Sequence, residues 1–298
     1  MYQIHSTSLS TVGLTDLLQL TKPKIVVLLA ITGAVAFCMP VTGSISIPHL
    51  ILYILLGYFV AGGAMVVNNA IDYDIDAMME RTQSRVSTGQ LSRIQVTVFG
   101  SILMVLGLVP AFIIFGGYTT LFLAWGGFFY IFGYSLLLKR NTILNTIFGG
   151  LASPAPVWGG YAARYELIGQ IPKDAILGVP IEGWLIGLLV FLWTPTHTWA
   201  MAVKNYHDYE NASIPMLPVV LGIRKTAYIC LLGGIIILVF ASYLVLSIHP
   251  QVLLFLLLIN SAFLLSLLKF ALRPTIAEGT QNFYAHNIWL GMVFLLLL

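Results

Sequence analysis

The chain has 298 residues, 59% of them hydrophobic and 8% charged, with a mean hydropathy of +0.94; a soluble domain carries about three times that share of charge. An ordinary water-soluble enzyme is excluded, and a net charge of +3 dispersed along the chain leaves no nucleic-acid footprint. The two cysteines, Cys38 and Cys230, sit inside apolar runs without metal-ligand spacing and read as packing residues. Apolar run after apolar run, broken by brief polar interruptions, predicts an all-α polytopic membrane protein.

In chain order, the first 20 residues lack the basic start and apolar stretch of a secretory leader. Leu14, Leu17, Leu18 and Leu20 with Asp16 predict a short interfacial helix within a cytoplasmic tail, residues 1–21. Windows of about 19 residues then predict nine membrane helices, over 24–40, 48–69, 94–115, 118–138, 142–161, 183–203, 226–248, 250–269 and 283–298. The last is short by about a turn for a hydrocarbon core of about 30 Å. With nine spans the connections alternate sides. One set holds Lys22, Lys24, Arg81, Arg85, Arg93, Lys139, Arg140, Lys204, Arg224, Lys225, Lys269 and Arg273, and the other only Arg164 and Lys173. This bias predicts a cytoplasmic N-terminus and an external C-terminus. Pro154, Pro156 and Pro195 fall within predicted spans, where a broken backbone ladder is tolerated only if buried in protein or lining a cavity. No linker or composition shift divides the chain, so residues 1–298 read as one integral-membrane domain.

Four of the eleven acidic residues, Asp72, Asp74, Asp76 and Glu80, follow the run that ends at Asn69. Asn68, Asp72 and Asp76 are spaced i, i+4, i+8 and share one stripe of a helix. Hard oxygen donors on one face suit Mg²⁺, which takes one or two carboxylates and completes its shell with water and substrate phosphate; the plainer reading is a solvated charged loop. Arg81, Arg85 and Arg93 follow and supply cations suited to a diphosphate. A second polar cluster, Lys204 to Glu210, leaves another span on the same side, with Lys204 and Asp208 at i, i+4. Two such stations suit a reaction in which a diphosphate departs, because its developing charge must be neutralised. Ahead of the second cluster, His197 lies between Trp193 and Trp199, next to Pro195. A titratable group within a span is a functional candidate, against the alternative of a histidine hydrogen-bonded to a neighbouring helix. Gly57, Gly62, Gly63, Gly149, Gly150, Gly159 and Gly160 read as close helix packing.

These residues resemble the UbiA-type intramembrane prenyltransferases, and within them the haem-farnesylating branch. The resemblance rests on Asn68-x-x-x-Asp72-x-x-x-Asp76, Met79-Glu80-Arg81-Thr82 with Arg85, Leu138-Lys139-Arg140 with Asn145, the run Trp193-Thr194-Pro195-x-His197-x-Trp199, and Asp208-Tyr209-x-x-Ala212-x-Ile214-Pro215-Met216-Leu217-Pro218. It spans about residues 20 to 290. Val86 stands where that branch has Pro, Thr196 where it repeats Pro, and Lys204 where the wider family often has Asp.

The resemblance implies a Mg²⁺-dependent transfer of farnesyl from farnesyl diphosphate to the 2-vinyl group of haem B, with water addition, in the cell membrane. The product would be passed to haem–copper oxidase assembly. It also implies that Asn68, Asp72, Asp76 and Asp208 hold the metal, that Arg81, Arg85, Lys139, Arg140 and Lys204 bind or screen the diphosphate, and that His197 contacts the haem. Trp158, Tyr161, Trp193, Trp199 and Tyr206 are the aromatics expected near a dry cavity that shelters a carbocation. Two other readings stay open: a sister prenyltransferase with a quinone-precursor, chlorophyll-precursor or glyceryl-lipid acceptor, and a secondary transporter whose carboxylates bind coupling ions.

Overall fold

A computed structural model describes residues 13–39, 44–80, 82 and 91–298, and among them the only regular elements are helices. Helix α1 (Leu14–Leu20) is the short N-terminal helix expected, with the Asp16 carboxylate accepting the Gly13 N–H at 3.0 Å at its start. It meets α2 (Pro23–Cys38) at a 59° bend. Lys22 makes the bend in the left-handed region, φ 52°; the following Pro23 disfavours right-handed helix at Lys22 and needs no N–H partner at its own helix-start position. Helix α3 (Ile47–Ile71) runs 25 residues, about 37 Å, and continues into α4 (Tyr73–Met78) across Asp72 alone.

Helix α5 (Arg93–Ile114) begins at a reciprocal Ser92–Gln95 cap and packs closely on α3. A Cβ on Gly63 would stand 2.5 Å from the Gly100 carbonyl oxygen, so the approach needs the absent side chain. The next span is in two parts, α6 (Gly117–Phe128) and a π-helical stretch from Phe129 to Leu138. After it the chain breaks into α7 (Asn145–Gly149), a 3₁₀ turn (Gly150–Ala152) and α8 (Ala155–Ile168). Then follow α9 (Ile181–Lys204), α10 (Tyr206–Asn211), α11 (Leu217–Ile248), α12 (Leu253–Leu272) and α13 (Ile276–Leu297).

Helix occupies most of each of the nine expected stretches. Among the described residues, however, six helices are long and apolar enough to cross a membrane, or seven if the bent α1–α2 pair counts as one span. The count of nine therefore does not follow from length and apolarity alone. The expected span 142–161 is a chain of short pieces broken at Pro154, with α8 only 14 residues long. The last helix begins at Ile276, seven residues before the expected start, and its 22 residues remove the apparent shortfall. Its polar first half, with Glu278, Gln281, Asn282, His286 and Asn287, hid that start from a hydropathy window.

The helices surround a shared interior in which α3 packs on α5 and α2, α2 on α8, and α9 on α11 and α13. Trp289, Phe263, Ile237, Leu189 and Tyr161 are buried in the largest core. The outer surface is apolar, with Leu254 79% and Ile113 75% exposed, as a surface solvated by lipid requires. The chain is an integral membrane protein.

Candidate active site

The break at Asp72 (φ −90°, ψ 9°) preserves the register between α3 and α4, because the Asp72 N–H still bonds the Asn68 carbonyl and the Asp76 N–H the Asp72 carbonyl, each at 2.8 Å. The stripe read from the sequence is therefore present: Asn68, Asp72 and Asp76 are all buried and line one cavity. Asp72 is the hub. Its Oδ2 accepts from Lys139 Nζ at 2.5 Å and from Asn68 Nδ2 at 2.6 Å, while Oδ1 is buried without a hydrogen-bond partner. The Lys139 side chain is only 10% exposed. Its position follows from the π-helical stretch, whose last bond runs from the Lys139 N–H to the Tyr134 carbonyl. Widened turns of this kind gather at functional sites. Here the turn also presents Tyr130, whose hydroxyl donates to Asn68 Oδ1 at 3.2 Å, and Ser135, which accepts from Asn68 Nδ2 at 2.9 Å.

Lys22 also enters this site, with Nζ 2.6 Å from Asn68 Oδ1. The sequence reading used Lys22 only for topology and did not select Tyr130, Tyr134 or Ser135. The one available signal was the Lys22-Pro23 pair, which marks a bend but not its direction.

The other expected residues divide. Arg140 lies beside the cluster, 4.0 Å from Asp72 Oδ1, yet its guanidinium forks onto Asp74 at 2.6 and 2.7 Å and onto the Ile71 carbonyl at 2.9 Å. That pairing pulls the Asp74 carboxyl down to about 2, chiefly through the hydrogen bonds from Arg140. Asp208 does not line the cavity; its Oδ1 accepts the Glu80 N–H at 3.0 Å and so ties the second station to the end of the first. Lys204 points to α13, donating to the Tyr284 hydroxyl at 2.7 Å. His197 stacks on Trp193, ring centres 4.0 Å apart, behind the cavity wall that Trp193 forms. Arg81 and Arg85 lie outside the described residues.

From this polar end a cavity of about 380 Å³ extends past Met65, Ala61 and Gly57 of α3 and Ile25 and Leu29 of α2 to Tyr53 and Pro156. Pro154 and Pro156 are thus explained: they open α8 at the cavity, and the Pro156 carbonyl accepts the Tyr53 hydroxyl at 2.9 Å. Of the five aromatics expected near the cavity only Trp193 lines it, joined by Tyr53, Tyr130, Tyr134 and Tyr209. Tyr161 and Trp199 are buried in helix packing, Trp158 packs on Phe122 and Trp184, and Tyr206 bonds Glu210. A polar end carrying both signs of charge, joined to an apolar shaft, suits an amphiphile with an anionic head.

Among the described residues no three His, Cys, Asp or Glu side chains converge as a metal site. The donors nonetheless fit a divalent cation that keeps water and substrate oxygens: the Asn68 amide, the orphan Oδ1 of Asp72, and Asp76, whose carboxylate is not hydrogen-bonded among the described residues.

Residues 28–291 match the model of the UbiA prenyltransferase family. The chain belongs to that family. Relatives include the protoheme IX farnesyltransferase of Saccharolobus islandicus, 33% identical over 94% of this chain and 95% of that one, and its namesake from Sulfurisphaera tokodaii, 32% identical over 96% and 92%. The UbiA fold recurs in a solved digeranylgeranylglyceryl phosphate synthase, with a TM-score of 0.73, 17% identity and 95% and 96% coverage. It recurs again in a UbiA homologue from Archaeoglobus fulgidus bound to GPP and Mg²⁺, with a TM-score of 0.67, 16% identity and 95% and 99% coverage. This UbiA chain is accordingly a prenyltransferase.

Proposed function

We propose that this UbiA protein transfers the farnesyl group of farnesyl diphosphate to the 2-vinyl group of protohaem IX, with addition of water, to give haem O and diphosphate. The observation that carries this reading is the Asn68–Asp72–Lys139 cluster at the head of an apolar, Trp193-walled shaft, in a chain whose one-third-identical relatives bear the protoheme IX farnesyltransferase name.

Asn68, Asp72 and Asp76 would hold Mg²⁺, with Asp208 bracing the chain at Glu80 just after them; when bound, the metal neutralises charge on the departing diphosphate. Lys139 and Lys22 add fixed positive charge at the same end, where low dielectric strengthens it. Arg140 screens the head indirectly by occupying Asp74. The stacked rings of Tyr130 and Tyr134, 6.0 Å apart, flank the place where the C1–oxygen bond of the allylic diphosphate breaks, and their faces favour the resulting cation. The acceptor vinyl then attacks C1, forming the carbon–carbon bond. Positive charge passes to the vinyl carbon next to the tetrapyrrole, where water adds and a proton is released. His197, beyond Trp193, would contact the haem.

One domain, residues 1–298, does all of this. The positive bias supports a polar end on the cytoplasmic side; the membrane would be the plasma membrane, from which haem O would pass to oxidase assembly. The deciding experiment is turnover by purified protein with haem B, farnesyl diphosphate and Mg²⁺, with and without chelator, and mass spectrometry of the extracted haem. A chelator-sensitive product heavier by farnesyl plus water is expected. No haem product, with activity on a quinone precursor or glyceryl lipid, would move the chain to a sister branch.

A further inference from the structure

The second polar cluster separates in space. Asp208 turns back to Glu80, whereas Lys204 turns the other way. Its ammonium donates to the Tyr284 hydroxyl at 2.7 Å and lies over two rings of α13, 5.0 Å from the Phe283 centre and 4.5 Å from the Tyr284 centre. No carboxylate among the described residues lies within ion-pair reach of it, so its charge has only aromatic faces and a hydroxyl for company.

The same Phe283 ring is 4.9 Å from the His197 ring. Ammonium and imidazole therefore flank one phenyl group, with no more than about 10 Å between them. The two residues are seven apart on α9, which puts them on one stripe with a backbone rise of about 10.5 Å between them. At the far end of this stripe Trp193 lines the isoprenyl cavity on one side and stacks on His197 on the other. The Nδ1 of His197 is buried without a hydrogen-bond partner, as is Nε2 of His286, whose ring centre is 6.2 Å from that of His197. The face between α9 and α13 is thus aromatic, contains unspent imidazole nitrogens, and ends in a lone cation. A flat, apolar molecule with a carboxylate on its edge complements it in polarity and charge.

We infer that Lys204, with the Tyr284 hydroxyl, binds a carboxylate of the acceptor rather than the diphosphate of the donor: the propionate edge of protohaem lies at the Lys204 end of the α9–α13 face while its ring lies against His197. The inference rests on the haem-farnesylating reading above. It gives the two lysines opposite duties, Lys139 toward the isoprenyl head and Lys204 toward the acceptor.

The test compares haem B with its dimethyl ester, which keeps the ring and iron but loses both carboxylates. Wild-type protein in nanodiscs should bind and farnesylate haem B with at least tenfold lower Kd and KM than the ester. Lys204→Met should lose that discrimination by raising the haem B values to those of the ester, with the Kd for farnesyl diphosphate unchanged, and Lys204→Arg should restore it. If Lys204→Met instead weakens farnesyl diphosphate binding and still separates haem B from its ester, Lys204 belongs to the donor site and the inference is overturned. The same holds if wild-type protein does not distinguish the two. Wild-type protein that farnesylates neither porphyrin would overturn the underlying reading itself, an outcome distinct from both.

Discussion

Lys139→Met tests the site's electrostatics directly. Asp72 is 1% exposed and its Oδ2 rests on two donors, the Lys139 ammonium at 2.5 Å and the Asn68 amide at 2.6 Å; the Arg140 guanidinium stays 4.0 Å from Oδ1. Without Lys139 a buried carboxylate keeps one neutral donor and a distant cation, a loss worth about 3–5 kcal/mol for a broken buried pair. Asp72→Asn should cost a similar amount by stranding the ammonium. The double substitution removes both charges, leaves an amide able to bond Asn68, and should cost only about 1–2 kcal/mol. A coupling energy of about 2 kcal/mol or more is therefore expected from equilibrium unfolding of the four proteins in mixed micelles. Turnover should not follow stability: all three variants should lose about 10²-fold or more, because fixed charge at the departing group is what the reaction uses. A double variant no more stable than either single one would refute the pairing argument, and a Lys139→Met protein with wild-type turnover would refute the catalytic one.

Arg140→Ala should lower stability at neutral pH by less than about 1 kcal/mol, since the Asp74 side chain is 49% exposed and screened. Because Arg140 holds the Asp74 carboxyl down at about 2, that contribution is complete above about pH 4, where the unfolded carboxyl is also ionised. It disappears as pH falls through 2, so wild-type and variant unfolding curves should converge there; a persistent gap would assign the effect to the Ile71 carbonyl contact. Glu166→Ala should destabilise by about 1–2 kcal/mol, because Glu166 accepts the Tyr118 and Thr119 N–H groups at 2.8 Å and the Thr119 hydroxyl at 2.6 Å at the start of α6. An unchanged Tm would remove that capping role. With Cys38 and Cys230 replaced, a cysteine at Arg224 should react with an impermeant thiol reagent only from the cytoplasmic side, and one at Lys173 only from outside; the reverse would invert the proposed orientation.

What the sequence made legible is what short-range periodicity records. Asn68, Asp72 and Asp76 are four residues apart, and one helix register brings them to the same cavity whatever surrounds them. The apolar runs likewise located most helices, because lipid demands them. Lys22, Tyr130 and Ser135 escaped for the opposite reason. Tyr130 and Ser135 reach Asn68 through a π-helical stretch whose extra residue per turn leaves no mark in a hydropathy pattern, and Lys22 reaches it through a bend. Lys204 shows a third case: its i, i+4 spacing to Asp208 is real, but α9 ends at Lys204 and Asn205 lies outside helical geometry (φ −110°, ψ 35°). The stripe that would have joined the two side chains is broken between them.

The walls of the shaft bear on how a carbocation survives in a protein that also needs water. Each hydroxyl of Tyr53, Ser153 and Thr194 in the lining donates to a backbone carbonyl, at 2.9, 2.6 and 2.7 Å, and that of Thr146 donates to the Asn145 side chain at 2.8 Å. Their protons are spent inside the wall, so these four hydroxyls offer no donor to hold water beside the isoprenyl chain. Among the buried polar atoms without a partner are Asp72 Oδ1 at the head and, behind Trp193, His197 Nδ1 and His286 Nε2. Such a division separates two fates of positive charge. A cation at the isoprenyl C1 lies beside tyrosine rings and tied-off hydroxyls, where premature hydrolysis is disfavoured. On the proposed reading, once the carbon–carbon bond has formed the charge resides on the acceptor, and an acceptor lying against His197 would bring it to imidazole nitrogens that can hold water. Dryness and hydration are then required at two places rather than at one.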